Sequence, residues 1–185
     1  LEDPIEYVYE TTGRVINQRE IGQDTHNFQN AFRASLRQDP DVILVGELRD
    51  FETISIALTA AETGHLVLGT LHTSSAASSV ERIIDVFPSI QQDQVRTQLA
   101  SALVSVISQR LLPKRGNKGR HAVTEILVND KSVANLIRTG KTHQIPNVLQ
   151  TGRDKGMHSM EYSIQKALEN HIIDYSAAEL LLKGD

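Results

Sequence analysis

Residues 39–50 read DPDVILVGELRD. At their centre Val42-Ile43-Leu44-Val45 is a short, wholly apolar run between a proline turn and Gly46. Such a run reads as a parallel strand covered on both faces. Glu47 follows the glycine, at the strand's carboxyl end, and ligands in open α/β sheets bind at that end. A carboxylate there can hold a Mg²⁺ shell, through water, or polarise an attacking water. A solvated turn residue is the plain alternative, because surface glutamates are common.

The flanking segments complete an alternating pattern. Upstream, Asp24 or Thr25 can cap a helix that buries Phe28, Phe32 and Leu36, and Asp39-Pro40 stops it, since a residue before proline avoids helical angles. Downstream, Asp50 caps a second helix with Ile54, Leu58 and Ala61 inside and Gly64 past its end. Residues 66–71 form another apolar strand, and a helix through Val80, Ile83 and Ile84 closes at Pro88. Strand, helix, strand, helix is the order of an α/β sheet. Next, Ser89 and Gln92 make a capping-box pattern ahead of a stripe of Val95, Leu99, Ala102, Leu103, Val106 and Ile107. A basic, glycine-containing turn over 114–120 is expected to join strands at 109–112 and 122–128. From Ser132 the spacing is helical, through Val133, Leu136 and Ile137, then Val148 and Leu149, then Met160, Ile164 and Leu168, then Leu180 and Leu181. Gly140, Gly152 and Asn170 interrupt it. A boundary near 113 separates an α/β core (1–112) from a mostly helical unit (113–185).

Composition narrows the function classes. The 185 residues are 39% hydrophobic and 23% charged, ordinary for a soluble globular protein. Nineteen Lys and Arg against 23 Asp and Glu leave a net charge of −4, which gives no support to a nucleic-acid partner. Cysteine is absent, which excludes disulfides and thiolate metal sites and is compatible with a reducing compartment. No apolar run approaches the ~20 residues that span a bilayer, so direct membrane insertion is not expected. The chain begins without Met and shows no signal peptide at Leu1; the true N-terminus is expected to lie elsewhere.

Other residues can carry chemistry. Residues 1–7, LEDPIEY, place Glu2, Asp3 and Glu6 around the stiff Pro4. Such a group can position water or a metal, or serve as a polar loop. His65 and His72 flank one strand. Seven positions along a strand span ~23 Å and point to opposite faces, so the two cannot share a metal. Only His72 stands at the carboxyl end near Glu47, which assigns it to an active site and His65 to structure or an interface. Arg33 and Arg37 lie one helical turn apart, Arg49 follows Glu47 by two, and Arg82 sits on a later helix. Guanidinium forks suit phosphate oxygens, and also surface salt bridges.

Taken together these segments resemble the type II and type IV secretion ATPase superfamily. LEDPIEY is similar to its Asp box, DPDVILVGELRD to its atypical Walker B, and TGHLVLGTLHT (63–73) to its His box. INQRE (16–20) and ALTAAE (57–62) also fit. SVANLIRTG (132–140) resembles the AIRNLIRE signature of PilT-like retraction ATPases, with Ala134 and Thr139 replacing its Arg and Glu, and QTGRDKGMHSM (150–160) is similar to the same group. Many assembly and type II ATPases carry a four-cysteine zinc insert here, which this chain lacks. The resemblance implies a RecA-like P-loop ATPase core followed by a helical unit, ATP and Mg²⁺ as cofactors, and a homo-hexamer. It also implies a cytoplasmic motor, peripheral to the inner membrane, that acts on an inner-membrane pilus platform protein in retraction and twitching motility. By motif position Glu6 and Glu47 are then the catalytic carboxylates, and His72 senses the γ-phosphate. Arg33, Arg37, Arg49 and Arg82 can reach phosphates within or across subunits. Glu2, Asp3, Gly46, His65 and Thr70 are structural motif residues. Asn135, Leu136, Ile137 and Arg138 couple to a partner. No G-x-x-x-x-G-K-[ST] occurs in these residues. That loop and the core's first strand are expected to precede Leu1, and without them the 185 residues hold half a nucleotide site and should not hydrolyse ATP alone. Pilus assembly or type II secretion is the related alternative; a non-catalytic module that binds a ring or platform is the alternative of another class.

Overall fold

The computed structural model describes residues 1–117 and 119–182. The chain divides into two compact units, residues 1–72 with 86–88 and residues 73–85 with 89–185.

The first unit is a strand–helix–strand motif with an extra helix. It comprises α1 (Phe28–Ser35), β1 (Val42–Val45), α2 (Phe51–Glu62) and β2 (Leu66–Gly69). β1 and β2 pair in parallel, from Val42 opposite Leu66 to Val45 opposite Gly69. Ile43 and Val45 face Phe32, Ala57 and Ala60, with Phe28, Leu36 and Val67 packed at the edge. Among the described residues only that face of the sheet is covered, contrary to the reading of β1 as buried on both faces. Val42, Leu66 and Leu68 lie on the other face and remain about half exposed. The cause is the two-residue strand period, which sends alternate side chains to opposite faces while both helices pack on one.

The signals for α2 hold, and the cap of α1 shifts. Asp50 caps α2, accepting a hydrogen bond from Thr53 N at 2.9 Å. Gly64 takes the left-handed conformation beyond the end of α2, at φ 101°. The α1 cap is Asn27, which accepts from Asn30 N at 2.8 Å. Asp24 instead accepts from Glu20 N. A polar cluster of possible caps fixes the neighbourhood of a helix start but not the residue, because capping depends on which carbonyl oxygen meets the free amides.

The second unit carries α3 (Ala76–Asp85), α4 (Ser89–Ala102), β3 (Ser105–Pro113), β4 (Arg120–Val128), α5 (Lys131–Arg138), α6 (Ile145–Thr151), α7 (Met160–Glu169) and α8 (Tyr175–Leu182). β3 and β4 pair antiparallel along their full length, Ser105 opposite Val128 and Pro113 opposite Arg120. This hairpin is longer than expected, and it takes Val106 and Ile107 out of the α4 stripe. Compactness accordingly divides the chain at Thr73, whereas the sequence boundary near 113 falls inside the hairpin. Leu112 and Val123 from the two strands pack with Ile164, Ala167, Ile173 and Ala178. The side chains of Leu180 and Leu181, read as part of the last helical stripe, lie outside the described residues, as does Lys118 of the hairpin turn.

Candidate active site

Glu47 stands just past the carboxyl end of β1, and the main chain on each side of it is held. Gly46 N donates to Leu1 O at 2.7 Å, and Leu1 N donates to Leu44 O at 2.8 Å. Residue 1 therefore lies along the edge of β1 opposite β2. A Cβ on Gly46 would sit 3.1 Å from Leu1 O and 3.2 Å from the Glu2 Cα; glycine permits that close approach. From the other side, Thr70 Oγ1 donates to Gly46 O, and Leu48 N donates to Thr70 O at 2.9 Å.

So held, the Glu47 side chain is 20% exposed and meets a cation or imidazole at each oxygen. Arg49 Nε lies 2.5 Å from Oε2, and His72 Nε2 lies 3.2 Å from Oε1. The His72 and Arg49 side chains are 82% and 65% exposed. Ion pairs so open to water contribute only about 0–1 kcal/mol to stability. Their value is positional: three groups able to meet an anion or a water converge at one strand end.

The acidic segment is organised by residues whose role the sequence did not show. Glu2 bridges to Glu20, with Glu2 N donating to Arg19 O and Ile21 N to Glu2 O. Gln18 Nε2 donates to Glu2 Oε1 at 3.0 Å and to Tyr7 O at 2.8 Å, and Gln18 Oε1 accepts from Tyr9 N at 2.9 Å. Glu20 Oε2 accepts from Ile5 N at 3.0 Å. INQRE thus clamps LEDPIEY. These contacts join groups nine or more positions apart, and periodicity carries no trace of such pairs.

The remaining candidates are dispersed. Asp3 and Glu6 are exposed, and no hydrogen bond or ion pair among the described residues ties Glu6 to Glu47. Arg33 and Arg37 are exposed on and just after α1; of the three arginines read as a cluster, only Arg49 pairs with Glu47 among the described residues. Arg82 is exposed on α3, in the second unit. His65 is half-buried, its Nδ1 lying 3.1 Å from Ala60 O and 3.3 Å from Thr63 Oγ1, so it ties the end of α2 to the start of β2. In the second unit, α5 buries Val133, Leu136 and Ile137 and exposes Asn135 and Arg138. Asp130 caps it, accepting from Ser132 N and Val133 N at 2.9 Å each, and Lys155 Nζ lies 2.5 Å from its other oxygen. The hydrogen bond from Lys155, then that from Val133, holds the Asp130 carboxyl below the usual carboxylate range.

Among the described residues no three His, Asp or Glu side chains form a metal-binding group. One carboxylate at Glu47 suits Mg²⁺, which keeps several waters and takes one or two carboxylates alongside substrate phosphates. No helix among them is long and apolar enough to cross a membrane.

Comparison with known proteins identifies the family. Residues 1–175 match the family described as type II/IV secretion system protein. The chain is 53% identical over 178 residues to the twitching motility protein of Neisseria gonorrhoeae, covering 96% of this chain and 48% of that one. It is 49% identical over 173 residues to the type IV pilus retractation ATPase PilT of Pseudomonas aeruginosa, covering 94% and 50%. It superposes on the crystal structure of the pilus retraction motor PilT with bound ADP at a TM-score of 0.87 and 47% identity, covering 96% and 50%. The chain spans about half the length of these relatives. With three motifs, a strand-end carboxylate and a shared α/β fold in agreement, the chain belongs to the type II/IV secretion system protein family.

Proposed function

We propose that the protein carrying this chain is a motor ATPase that couples ATP hydrolysis to type IV pilus retraction in twitching motility. The observation that carries the reading is the Glu47 carboxylate at the end of β1, with Arg49 and His72 on its two oxygens. Mg²⁺, when bound, neutralises phosphate charge. Glu47 accepts hydrogen bonds, either from the attacking water or from a water of the Mg²⁺ shell. His72, exposed on one side and tethered to Glu47 on the other, is free to turn toward a γ-phosphate. Glu6 is the second carboxylate by motif position. Arg33, Arg37 and Arg82 are exposed forks that can meet phosphates of the same or a neighbouring subunit. The names of the relatives support the direction of movement, retraction.

The same reading makes the working form a homo-hexamer in the cytoplasm, peripheral to the inner membrane and acting on a pilus platform protein there. Complementation tests it. Expressed in a twitching bacterium that lacks its own retraction ATPase, the whole protein should restore twitching and Glu47→Gln should not. Pilus extension restored in a strain lacking its assembly ATPase, with no gain of twitching, would contradict the retraction reading.

A further inference from the structure

Glu6 stands on a segment, residues 1–7, that lies outside any strand or helix. The segment is tied at its start, where Leu1 lies along β1 and Glu2 bridges to Glu20. From Leu1 to Glu6 the chain runs five residues. At a maximum of ~3.6 Å each, those links reach ~18 Å, so the anchor at Leu1 alone leaves Glu6 wide latitude. The Glu6 side chain is exposed, and its place is therefore set through the main chain.

Two side chains of the same compact unit take up that latitude. Glu20 Oε2 accepts from Ile5 N at 3.0 Å, and Gln18 Nε2 donates to Tyr7 O at 2.8 Å. Ile5 and Tyr7 are the residues on either side of Glu6. Glu20 is itself fixed: its N donates to Asp24 Oδ2 at 2.8 Å, its O accepts from Asp24 N at 2.9 Å, and its other carboxylate oxygen accepts from Gln23 Nε2. Gln18 engages both ends of its amide. Its Nε2 also donates to Glu2 Oε1 at 3.0 Å, and its Oε1 accepts from Tyr9 N at 2.9 Å. Two acceptors meet the amide nitrogen and one donor meets the oxygen, so the amide cannot turn over without losing all three bonds. A catalytic group must be held to within about 0.5 Å by neighbours locked in this way.

We propose that Gln18 is a positioning residue for Glu6: with Glu20 it grips the main chain on the two sides of Glu6 and so sets where that carboxylate stands for the reaction. The inference rests on the reading of Glu6 as the second catalytic carboxylate. Gln18→Met keeps the length of the side chain and removes both the donors and the acceptor. In the whole protein it should lower kcat for ATP about 10-fold with KM within about twofold. Gln18→Glu keeps an acceptor for Tyr9 N but sets oxygen against Tyr7 O and Glu2, so kcat should fall at least as far. In a Glu6→Gln background Gln18→Met should change kcat less than about twofold, because placing an absent carboxylate has no effect. Hydrogen exchange at the Tyr9 amide should be faster in Gln18→Met than in the wild-type protein. Unchanged kcat in Gln18→Met, an equal loss in both backgrounds, or unchanged exchange at Tyr9 would overturn the proposal. A Glu6→Gln protein that turns over ATP like the wild type would overturn the reading of Glu6, and the inference with it.

Discussion

Glu47 is held by its main-chain neighbours, and its two contacts point outward to exposed partners. The contrast with His65 follows from that difference. His72→Ala removes an exposed side chain whose contact among the described residues is Glu47, so ATP turnover should fall about 10²-fold in the whole protein with its urea midpoint unchanged. His65→Ala breaks the links to Ala60 and Thr63, so it should lower unfolding stability by about 1 kcal/mol and leave kcat within a few fold. Steady-state kinetics and urea titration of the pair check both; a stability loss confined to His72→Ala would reverse the assignments. That the two histidines lie at opposite ends of the apolar run was legible from sequence, although β2 ends at Gly69 and His72 stands three residues beyond it. The placement of the arginines was not. Arg33 lies on α1 and Arg37 in the turn just past it, and where they point depends on how Phe32 seats against Ile43 and Val45. The clamp of Gln18 and Glu20 was equally invisible, as it joins two loops through side-chain amides and carboxylates.

At the scale of elements, α5 is eight residues long and gains its stability from packing and its cap. Asp130→Ala should destabilise the protein by about 1 kcal/mol through loss of that cap. The sign of its pH dependence follows from the lowered carboxyl. Its stabilisation is complete above the unfolded value of about 3.9 and disappears as pH falls through the lower native value. The gap in unfolding free energy between wild type and Asp130→Ala should be constant from neutral pH down to about 5 and close as the pH falls below about 4. A gap that widened on acidification would contradict it. On the proposed reading, the exposed face of the same helix couples to a partner. Asn135→Ala with Arg138→Ala should therefore leave ATP turnover within a few fold while twitching in cells is lost; normal twitching would mark the face as merely solvated. The helical spacing of α5 was plain in the sequence. The end of α4 was not, since Val106 and Ile107 continue the helical stripe by spacing yet belong to β3. Nine strand pairs with β4 outweigh that local periodicity. The half-covered sheet was misread for the complementary reason. An apolar run shows that a strand can be buried on both faces, whereas covering layers come from elsewhere in the chain.

For the molecule as a whole, the order β1–α2–β2–α3 and the three motifs were legible at once, although only 39–50 and 63–73 contain a strand and its end, while residues 1–7 lie outside any strand or helix. How the chain parts into compact units was hidden, because it turns on the hairpin's full pairing across residue 113. The functional reading concentrates on a single carboxylate within this frame. Its most direct test is Mg²⁺-dependent ATP turnover by the whole protein and by Glu47→Gln, measured side by side on the purified proteins. Glu47→Gln keeps the side chain's size and removes the charge that holds Arg49 and His72. Turnover should fall by about 10²-fold or more with the melting temperature within a few degrees of wild type. Turnover in Glu47→Gln equal to that of the wild-type protein would contradict the placement of catalysis at the end of β1.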